Sequence, residues 1–149
     1  MKFWMKAAAA LALSGLASLA SAQTMAEAKA MLEAAQQSAA NKGLRGAATD
    51  FNAGGKWKKR KAYVVLVDFN GNLLARSDDP RMVGENVLEA KDAKGKAFVK
   101  ETIKAVQSAD EALVEMGWTD PDSRKVDSAK MLARRVPGQA AYVAVAFFE

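Results

Sequence analysis

The sequence predicts an α+β protein in which helices pack on an antiparallel sheet. Three observations indicate this class. Small and apolar residues recur with helical spacing over residues 24–40, the spacing changes to alternation over residues 62–69, and strand-like segments dominate the C-terminal third. The expected order is therefore two helices, a hairpin, one more helix and then three antiparallel strands.

The first residues show the order of charged, apolar and small residues that is typical of a secretory signal peptide. Lysines at positions 2 and 6 precede an apolar run over residues 7–19, and Ala20-Ser21-Ala22 forms a small-x-small cleavage site. An uncleaved membrane anchor would need about 20 apolar residues, whereas two serines and a glycine interrupt this run. We therefore expect a signal peptide over residues 1–22 and one domain over residues 23–149, in the periplasm or secreted.

The composition excludes most kinds of catalytic site. The chain has no cysteine and no histidine, so Ser-His-Asp and Cys-His sites, zinc ligation and haem or iron-sulfur ligation lack their side chains. A pair of carboxylates can catalyse hydrolysis, but no spacing in the sequence distinguishes one pair of Asp or Glu residues from the others. We therefore expect a protein that is not an enzyme and has no cofactor or metal. Removing Lys2 and Lys6 lowers the 22 basic residues to 20, against 17 acidic ones, so the mature chain is mildly basic.

Residues 24–40 predict an amphipathic helix, and residues 44–51 predict a shorter one. The inner face of the first consists of small and apolar residues at alternating steps of three and four: Met25, Ala28, Leu32, Ala35 and Ala39. Asn41-Lys42-Gly43 ends this helix, and residues 52–55 end the second. We expect the pair to fold as an N-terminal helix against the rest of the domain.

Residues 62–69 and 72–77 predict a β-hairpin, because the first segment alternates between two faces. One face has Tyr63, Val65, Val67 and Phe69, and the other has Val64, Leu66 and Asp68. The intervening Asn70-Gly71 is the strongest two-residue hairpin signal, and it predicts a type I′ turn with a positive φ at Gly71. Residues 78–80 close the hairpin.

A loop with Gly84 and Asn86 and a turn at residues 91–95 lead to the third predicted helix. Its apolar face consists of Val99, Ile103 and Val106. Leu113 and Met116 would continue that face, but Val114, Met116 and Trp118 alternate equally well as a strand, and we choose a strand over residues 113–118.

Two further strands complete the predicted sheet, over residues 129–136 and 140–148. A turn at residues 120–123 precedes the first, and Pro137-Gly138 separates the two.

A series of short motifs runs in a fixed order through the mature chain. It comprises Phe51-Asn52, Gly54-Gly55, residues 63–68, Asn70-Gly71, Leu74-Ala75, Pro80, Gly84-Glu85-Asn86, Asp92, Gly95-Lys96, residues 98–101, Trp118, Asp120-Pro121, Lys130 and residues 135–138. In order and spacing this series resembles the single Cache domain, a PAS-like extracytoplasmic sensor fold of bacteria. The resemblance implies a long N-terminal helix on one face of an antiparallel sheet. It also implies a small-molecule pocket on the other face, covered by a layer of loops and helix over residues 80–109.

Members of this family bind small organic acids, amino acids or related metabolites, usually as the sensing part of chemoreceptors and kinases. The resemblance therefore implies a sensor domain for a small anionic metabolite, acting in signal transduction or chemotaxis through a membrane-bound receptor, kinase or transporter. A homodimer through the N-terminal helix is a further expectation. The alternative that stays open is a structural or interaction protein of the cell envelope with no small-molecule ligand.

The resemblance also implies which residues line the pocket: Tyr63, Arg76, Met116, Trp118 and Lys130. Arg76 stands where many members carry histidine, and Met116 and Leu132 stand where aromatic residues are common. The ligand therefore differs from the family's usual ones, or the pocket has degenerated. The guanidinium of Arg76 suits a carboxylate. On chemistry alone, solvated strand positions are the favoured interpretation of both Arg76 and Lys130.

Residues 56–61 form the basic run Lys-Trp-Lys-Lys-Arg-Lys. Basic residues around an aromatic are compatible with nucleic-acid binding, but export makes nucleic acid an unsuitable partner. We interpret the run as a solvated turn that protects the entry of the first strand. An anionic membrane surface or an acidic partner is the functional alternative. The five methionines of the mature chain are scattered, which favours packing over a copper site.

Export predicts a defined N-terminus. The small side chains of Ala20-Ser21-Ala22 fit signal peptidase, so protein recovered from the envelope fraction should begin at Gln23, free or cyclised. Intact-mass spectrometry measures this directly. A cytoplasmic species that retains Met1 would contradict the predicted localisation.

Overall fold

A computed structural model describes residues 2–59, 61–119 and 123–148, with side chains from Thr24 onward. It has the predicted α+β architecture. The helices are α1 (Lys2–Asn52) and α2 (Phe98–Ser108), and the strands are β1 (Lys58–Lys59), β2 (Ala62–Asp68), β3 (Leu73–Arg76), β4 (Ala112–Thr119), β5 (Val126–Arg135) and β6 (Ala141–Phe148). Most of the turn predicted at residues 120–123 lies outside the described residues.

The six strands form one antiparallel sheet in the order β1-β2-β6-β5-β4, and β3 pairs with β2 beside β1. Residues that lie directly opposite each other on neighbouring antiparallel strands point to the same face of the sheet. Val65 of β2 lies opposite Ala144 of β6, which in turn lies opposite Ala133 of β5. Alternate residues of β2, β6 and β5 therefore point to the same side, and this alternation defines the two faces of the sheet.

Each face of the sheet is covered by a different layer. The face with Val64, Leu66, Leu132, Val143 and Val145 packs on α1. The opposite face, with Val65, Val67, Met131, Tyr142 and Ala144, packs on α2 and the loops that precede it. β6 is buried on both faces from Ala141 to Phe147, which explains its continuous apolar sequence.

α1 packs closely on the sheet because its inner face is made of small residues. Ala28, Leu32, Ala35 and Ala39 are almost completely buried, as their spacing predicts. At Gly43 the backbone leaves helical geometry, with φ 75° and ψ 172°, a conformation that glycine adopts without a Cβ clash. The predicted helix end at residues 41–43 is therefore a kink, after which the helix continues to Asn52.

The strand and helix predictions for the second half of the chain are confirmed, with shifted ends. β4 is a strand, as chosen, and α2 buries Val99, Ile103 and Val106. The basic run differs from its interpretation as a solvated turn. Trp57 is buried, with its ring centroid 4.8 Å from that of Phe51, and the two lysines after it form β1. A turn made of solvated residues would leave the tryptophan exposed, whereas here the buried Trp57 anchors the segment.

The hairpin turn has a different type from the predicted one. Gly71 N donates to Asp68 O (3.0 Å) and Asp68 N donates to Asn72 O (3.1 Å), which defines a three-residue loop over residues 69–71. Asn70 lacks the positive φ of a type I′ turn, whereas Gly71 has φ 90°. The Asp68 carboxylate accepts from the N–H groups of Asn70 and Asn72 (3.0 and 2.9 Å). This local capping favours a type I turn followed by glycine.

Gly71 is constrained by the close approach of Leu88 as well as by its positive φ. A Cβ at Gly71 would lie 2.5–2.9 Å from the backbone and Cβ of Leu88, whereas one at Gly138, which also has positive φ, would meet nothing within 4 Å. Gly138→Ala should cost about 1–2 kcal/mol, the cost of a left-handed alanine, and Gly71→Ala should cost clearly more. Chemical denaturation of both variants measures the difference. Equal losses would show that the contact with Leu88 is not constraining.

Candidate functional site

A cavity of about 500 Å³ lies between the sheet and the layer formed by α2 and the preceding loops. Its floor is the sheet face opposite α1, as the sequence predicts. Its walls are mainly apolar, with a few polar groups; the lining includes Val65, Val67, Leu73, Met82, Val87, Phe98, Val99, Met131 and Tyr142. Cavities of this size and character are typical of small-molecule sites.

Four of the five sequence-predicted site residues line this cavity. Tyr63 comes from β2, Arg76 from β3, and Met116 and Trp118 from β4. Tyr63 and Arg76 face the same side because Val65, which has the parity of Tyr63, lies opposite Arg76. Met116 and Trp118 are two residues apart on one strand and therefore share a face.

The fifth residue, Lys130, does not reach the cavity. On β5 it lies next to Met131, which lines the cavity, so its side chain leaves the opposite face of the sheet. Its partners in register are Glu115 on β4 and Phe147 on β6. Phe147 belongs to the core under α1. The expectation that Arg76 and Lys130 both line the pocket is therefore corrected: of these two cations, only Arg76 is at the cavity.

Arg76 is held by an acidic partner. Its Nε and Nη2 donate to the two carboxylate oxygens of Asp78 at 2.7 and 3.2 Å, and its Nη1 donates to the sulfur of Met82 at 3.1 Å. The guanidinium carbon lies 5.0 Å from the ring centroid of Tyr63. Its backbone N–H donates to Asn52 Oδ1 at 3.0 Å, so the end of α1 fixes the strand that carries it. The sequence did not single out Asp78 as this partner.

Aromatic residues line the cavity at β2 and β4. The ring of Trp118 lies 4.5 Å from that of Phe148, and Tyr63 lies 6.5 Å from Phe148 on the other side. Burial raises the pKa of Tyr63, an effect that nearby Arg76 reduces and Asp78 reinforces. Burial also raises the pKa of Tyr142. Both hydroxyls are therefore neutral at physiological pH and can donate a hydrogen bond.

The loop over one side of the cavity is fastened by Asp92. Its Oδ1 accepts from the N–H groups of Lys94 and Lys96 at 2.9 and 2.8 Å, and its Oδ2 accepts from Gly117 of β4 at 2.9 Å. Ala93 N also donates to Gly117 O. The bond from Gly117, then that from Lys96, holds the pKa of the Asp92 carboxyl below its usual value. From the sequence, Asp92 was interpreted as a turn residue. Its bond to Gly117 of β4 joins residues 25 positions apart, and no sequence pattern predicted it.

The loop is also joined to the β2–β3 hairpin. Val87 N donates to Gly71 O at 2.7 Å, and Asn86 Nδ2 donates to Asn70 O at 3.0 Å. The short approach of Leu88 to Gly71 belongs to the same junction. These contacts join the hairpin turn to the loop over the cavity.

A second, larger groove of about 680 Å³ lies between α1 and the end of α2. Three of its charged side chains form ion pairs: Arg134 with Glu111 at 2.8 Å and with the nearby Glu33 at 3.6 Å, and Lys29 with Glu111 at 3.4 Å. This ion-pair network joins α1 to the sheet. We regard the groove as structural because this network already engages Arg134, Glu111 and Lys29.

The structure brings together no metal centre within the residues it describes: they contain no group of three or more Asp and Glu side chains placed to hold an ion. Met82, Met116 and Met131 line the cavity, whereas Met25 and Met31, which belong to α1, pack in the core between that helix and the sheet. All five contribute to packing, as interpreted from the sequence. Over the same described residues, no helix combines the length and apolar character needed to span a bilayer.

Comparison with known proteins identifies relatives of this architecture. The model of the family described as single Cache domain 2 matches residues 4–148. A periplasmic sensor domain of a chemotaxis protein superposes with a TM-score of 0.68 at 18% identity, covering 85% of this chain and 96% of its own. A Cache chemosensory domain described for carboxylic acid recognition gives 0.63 at 17% identity, covering 91% and 97%.

A third solved structure, a methyl-accepting chemotaxis protein from Vibrio parahaemolyticus RIMD 2210633, gives a TM-score of 0.59 at 17% identity, covering 86% of this chain and 84% of its own. A search of curated proteins finds no match. At these identities the structural likenesses establish the fold.

The role of Asp92 predicts a pH-dependent loss of stability. Asp92→Asn should destabilise the domain near neutral pH, because an amide replaces one acceptor oxygen by a donor facing N–H groups. A lowered pKa stabilises the fold above the unfolded value of about 3.9 and loses that effect as pH falls through the folded value. The gap between wild type and variant in urea unfolding should therefore shrink below about pH 4. Asp127→Asn, at an exposed position of β5, is the control. A gap that does not change with pH would contradict this role.

Proposed function

The chain belongs to the single Cache domain family, whose members are extracytoplasmic sensor domains, and we propose that it binds a small organic acid in the cavity above the sheet. Through a membrane-bound receptor, kinase or transporter it would contribute to signal transduction or chemotaxis. The family is not a class of enzymes, and the proposal assigns no catalytic step to this chain. It includes removal of residues 1–22 on export, which leaves the domain periplasmic or secreted.

The observation that carries the proposal is the free hydrogen-bonding capacity of Arg76. A guanidinium has five N–H donors, and its bonds to Asp78 and Met82 use three of them. Two donors remain for a ligand, and they suit the two oxygens of a carboxylate. One of the three occupied donors meets only a thioether, a weak acceptor that a carboxylate would replace at little cost.

The rest of the cavity favours an acid with an apolar body. Its floor and walls are formed mostly by valine, leucine, methionine and aromatic side chains, which gain from contact with hydrocarbon. The neutral hydroxyls of Tyr63 and Tyr142 can serve a further polar group of the ligand. A small organic acid with few other charges therefore fits this lining better than a multiply charged metabolite.

An organic acid fits better than an amino acid. An amino acid would also need a partner for its ammonium group, and the carboxylate in the cavity wall is Asp92. Three backbone N–H groups already occupy most of the roughly four lone-pair sites of that carboxylate. Asp78 is similarly engaged with Arg76. The site therefore lacks a free anionic acceptor among these residues.

A second candidate function is a structural or interaction protein without a ligand. The ion pair between Arg76 and Asp78, at 2.7 Å, favours it, because the empty cavity then holds no uncompensated charge at this position. On this hypothesis the cavity is a packing defect beneath the loops, and the surface of the domain performs the function.

A thermal-shift screen of small carboxylic acids separates the two candidates. A ligand at 100 times its dissociation constant should add about 2.7 kcal/mol of stability. Arg76→Ala should then weaken binding of the acid found in the screen roughly thirtyfold or more, since it removes a charged hydrogen-bond partner. Lys130→Ala removes a cation on the other face and is the control, with affinity expected to stay near wild type. Calorimetric titration measures both.

Two results would count against the proposal. If no acid stabilises the wild-type protein, the structural candidate is favoured. If an acid binds and Arg76→Ala retains full affinity, the binding site lies elsewhere on the domain.

A further inference from the structure

The edge of the sheet next to β2 has a cluster of exposed lysines, which we call the basic edge: Lys56, Lys58, Lys59 and Lys61. Each of them is exposed. Lys58 and Lys59 form β1, the outer strand, and lie opposite Tyr63 and Ala62. Since these partners face opposite sides of the sheet, the lysine side chains leave from both sides of the edge.

The start of the segment that carries the basic edge is anchored at Trp57. Trp57 is buried in the core against Phe51. Its carbonyl oxygen accepts from the buried hydroxyl of Ser77 at 2.7 Å, and the same hydroxyl accepts from Val64 N at 2.8 Å. Trp57 therefore holds the start of β1, the strand of Lys58 and Lys59, against the core.

The positive charge of the basic edge is not neutralised within the part of the chain that the structure describes. Other lysines have carboxylate partners there, such as Lys42 with Asp50 and Lys100 with Glu89. No ion pair between described residues includes a member of the basic edge. Lys59 and Lys61 border a small cavity with Glu27, but no ion pair joins them to it. Arg60, outside the described residues, adds a further charge in sequence.

The composition of the basic edge distinguishes between kinds of partner. Single-stranded nucleic acid is bound by exposed aromatic rings between cations, whereas Trp57 is buried. Protein interfaces are enriched in arginine and aromatic residues and depleted in lysine, whereas the described cations here are all lysines. Lysine clusters of this kind are attracted to anionic lipid surfaces, where they need no fixed geometry.

We propose that the basic edge holds the domain against the surface of a bilayer that contains anionic phospholipids. Lysines on an edge strand also prevent pairing with another sheet, but β1 has only two residues, and the charges continue beyond it at Lys56 and Lys61. A protective role does not require these flanking charges, whereas attraction to a surface increases with each of them. The proposal is independent of the cavity and its ligand.

The test uses exported protein, purified from the periplasmic fraction of an expression host, in vesicle co-sedimentation. Wild type should partition onto vesicles of phosphatidylglycerol and phosphatidylcholine, weakly onto phosphatidylcholine alone, and less at higher salt. A triple variant with Lys58→Gln, Lys59→Gln and Lys61→Gln should lose roughly fivefold in partition coefficient per lysine at low salt, about a hundredfold in total. A control with Lys42→Gln, Lys100→Gln and Lys104→Gln has the same net charge and should retain most of the binding.

Several outcomes would overturn the proposal. Wild type that does not prefer anionic vesicles would redirect the search to an acidic protein partner. Equal losses in the two triple variants would show that net charge, and not the basic edge, is responsible. If the edge variant keeps its partition coefficient and self-associates in sedimentation velocity, the lysines protect the strand edge. Thermal unfolding of both triple variants verifies that each is folded.

Discussion

The fold depends on covering both faces of a sheet whose central strand is buried on each side. α1 covers one face through its small-residue stripe. On the other face, α2 has 11 residues, which span about 16 Å with a width of about 10 Å. Five neighbouring strands at about 4.8 Å spacing are about 19 Å across, so one short helix covers less than half of that face. The loops before α2 cover the rest, and loops of polar and glycine residues do not fill space as closely as a helix. The cavity follows from this unequal cover.

Polar side chains at a few buried positions set how the hairpin meets the rest of the domain. Asn52, at the end of α1, accepts from Arg76 N and donates to Leu74 O. Ser77 accepts from Val64 and donates to the carbonyl of Trp57. These bonds satisfy backbone groups at the point where β3 ends and the outer strand begins. They therefore fix Arg76 in the cavity wall and the lysines at the edge through the same short segment.

The sequence predicted the elements that depend on local pattern. The stripe of α1, the alternation of β2 and the apolar face of α2 are each visible over a few turns or residues. It failed where a side-chain contact, and not the residue pattern, decides the outcome. Asp68 caps the hairpin turn and changes its type, and Trp57 is buried because Phe51 lies beside it. Lys130 was assigned to the cavity by the family resemblance. β5 is buried on both faces near Met131 and Leu132, so its apolar pattern contains no alternation that would have shown which face the lysine takes.

The pairing of Arg76 with Asp78 bears on how the site could respond to an anion. With Lys130 on the other face and Arg76 paired with Asp78, no ligand is needed to neutralise Arg76 in the unliganded domain. A bound carboxylate would share the guanidinium with Asp78, and the two anions would repel each other across it. Part of the attraction is thereby lost, so apolar contacts with the floor and with the loop must supply much of the affinity. The loop is joined both to β4 through Asp92 and to the hairpin through Asn86, and a ligand body that presses on it acts on both edges of the cavity at once. Recognition by apolar contact would therefore couple ligand size to the position of the loop, while the carboxylate sets the ligand's orientation.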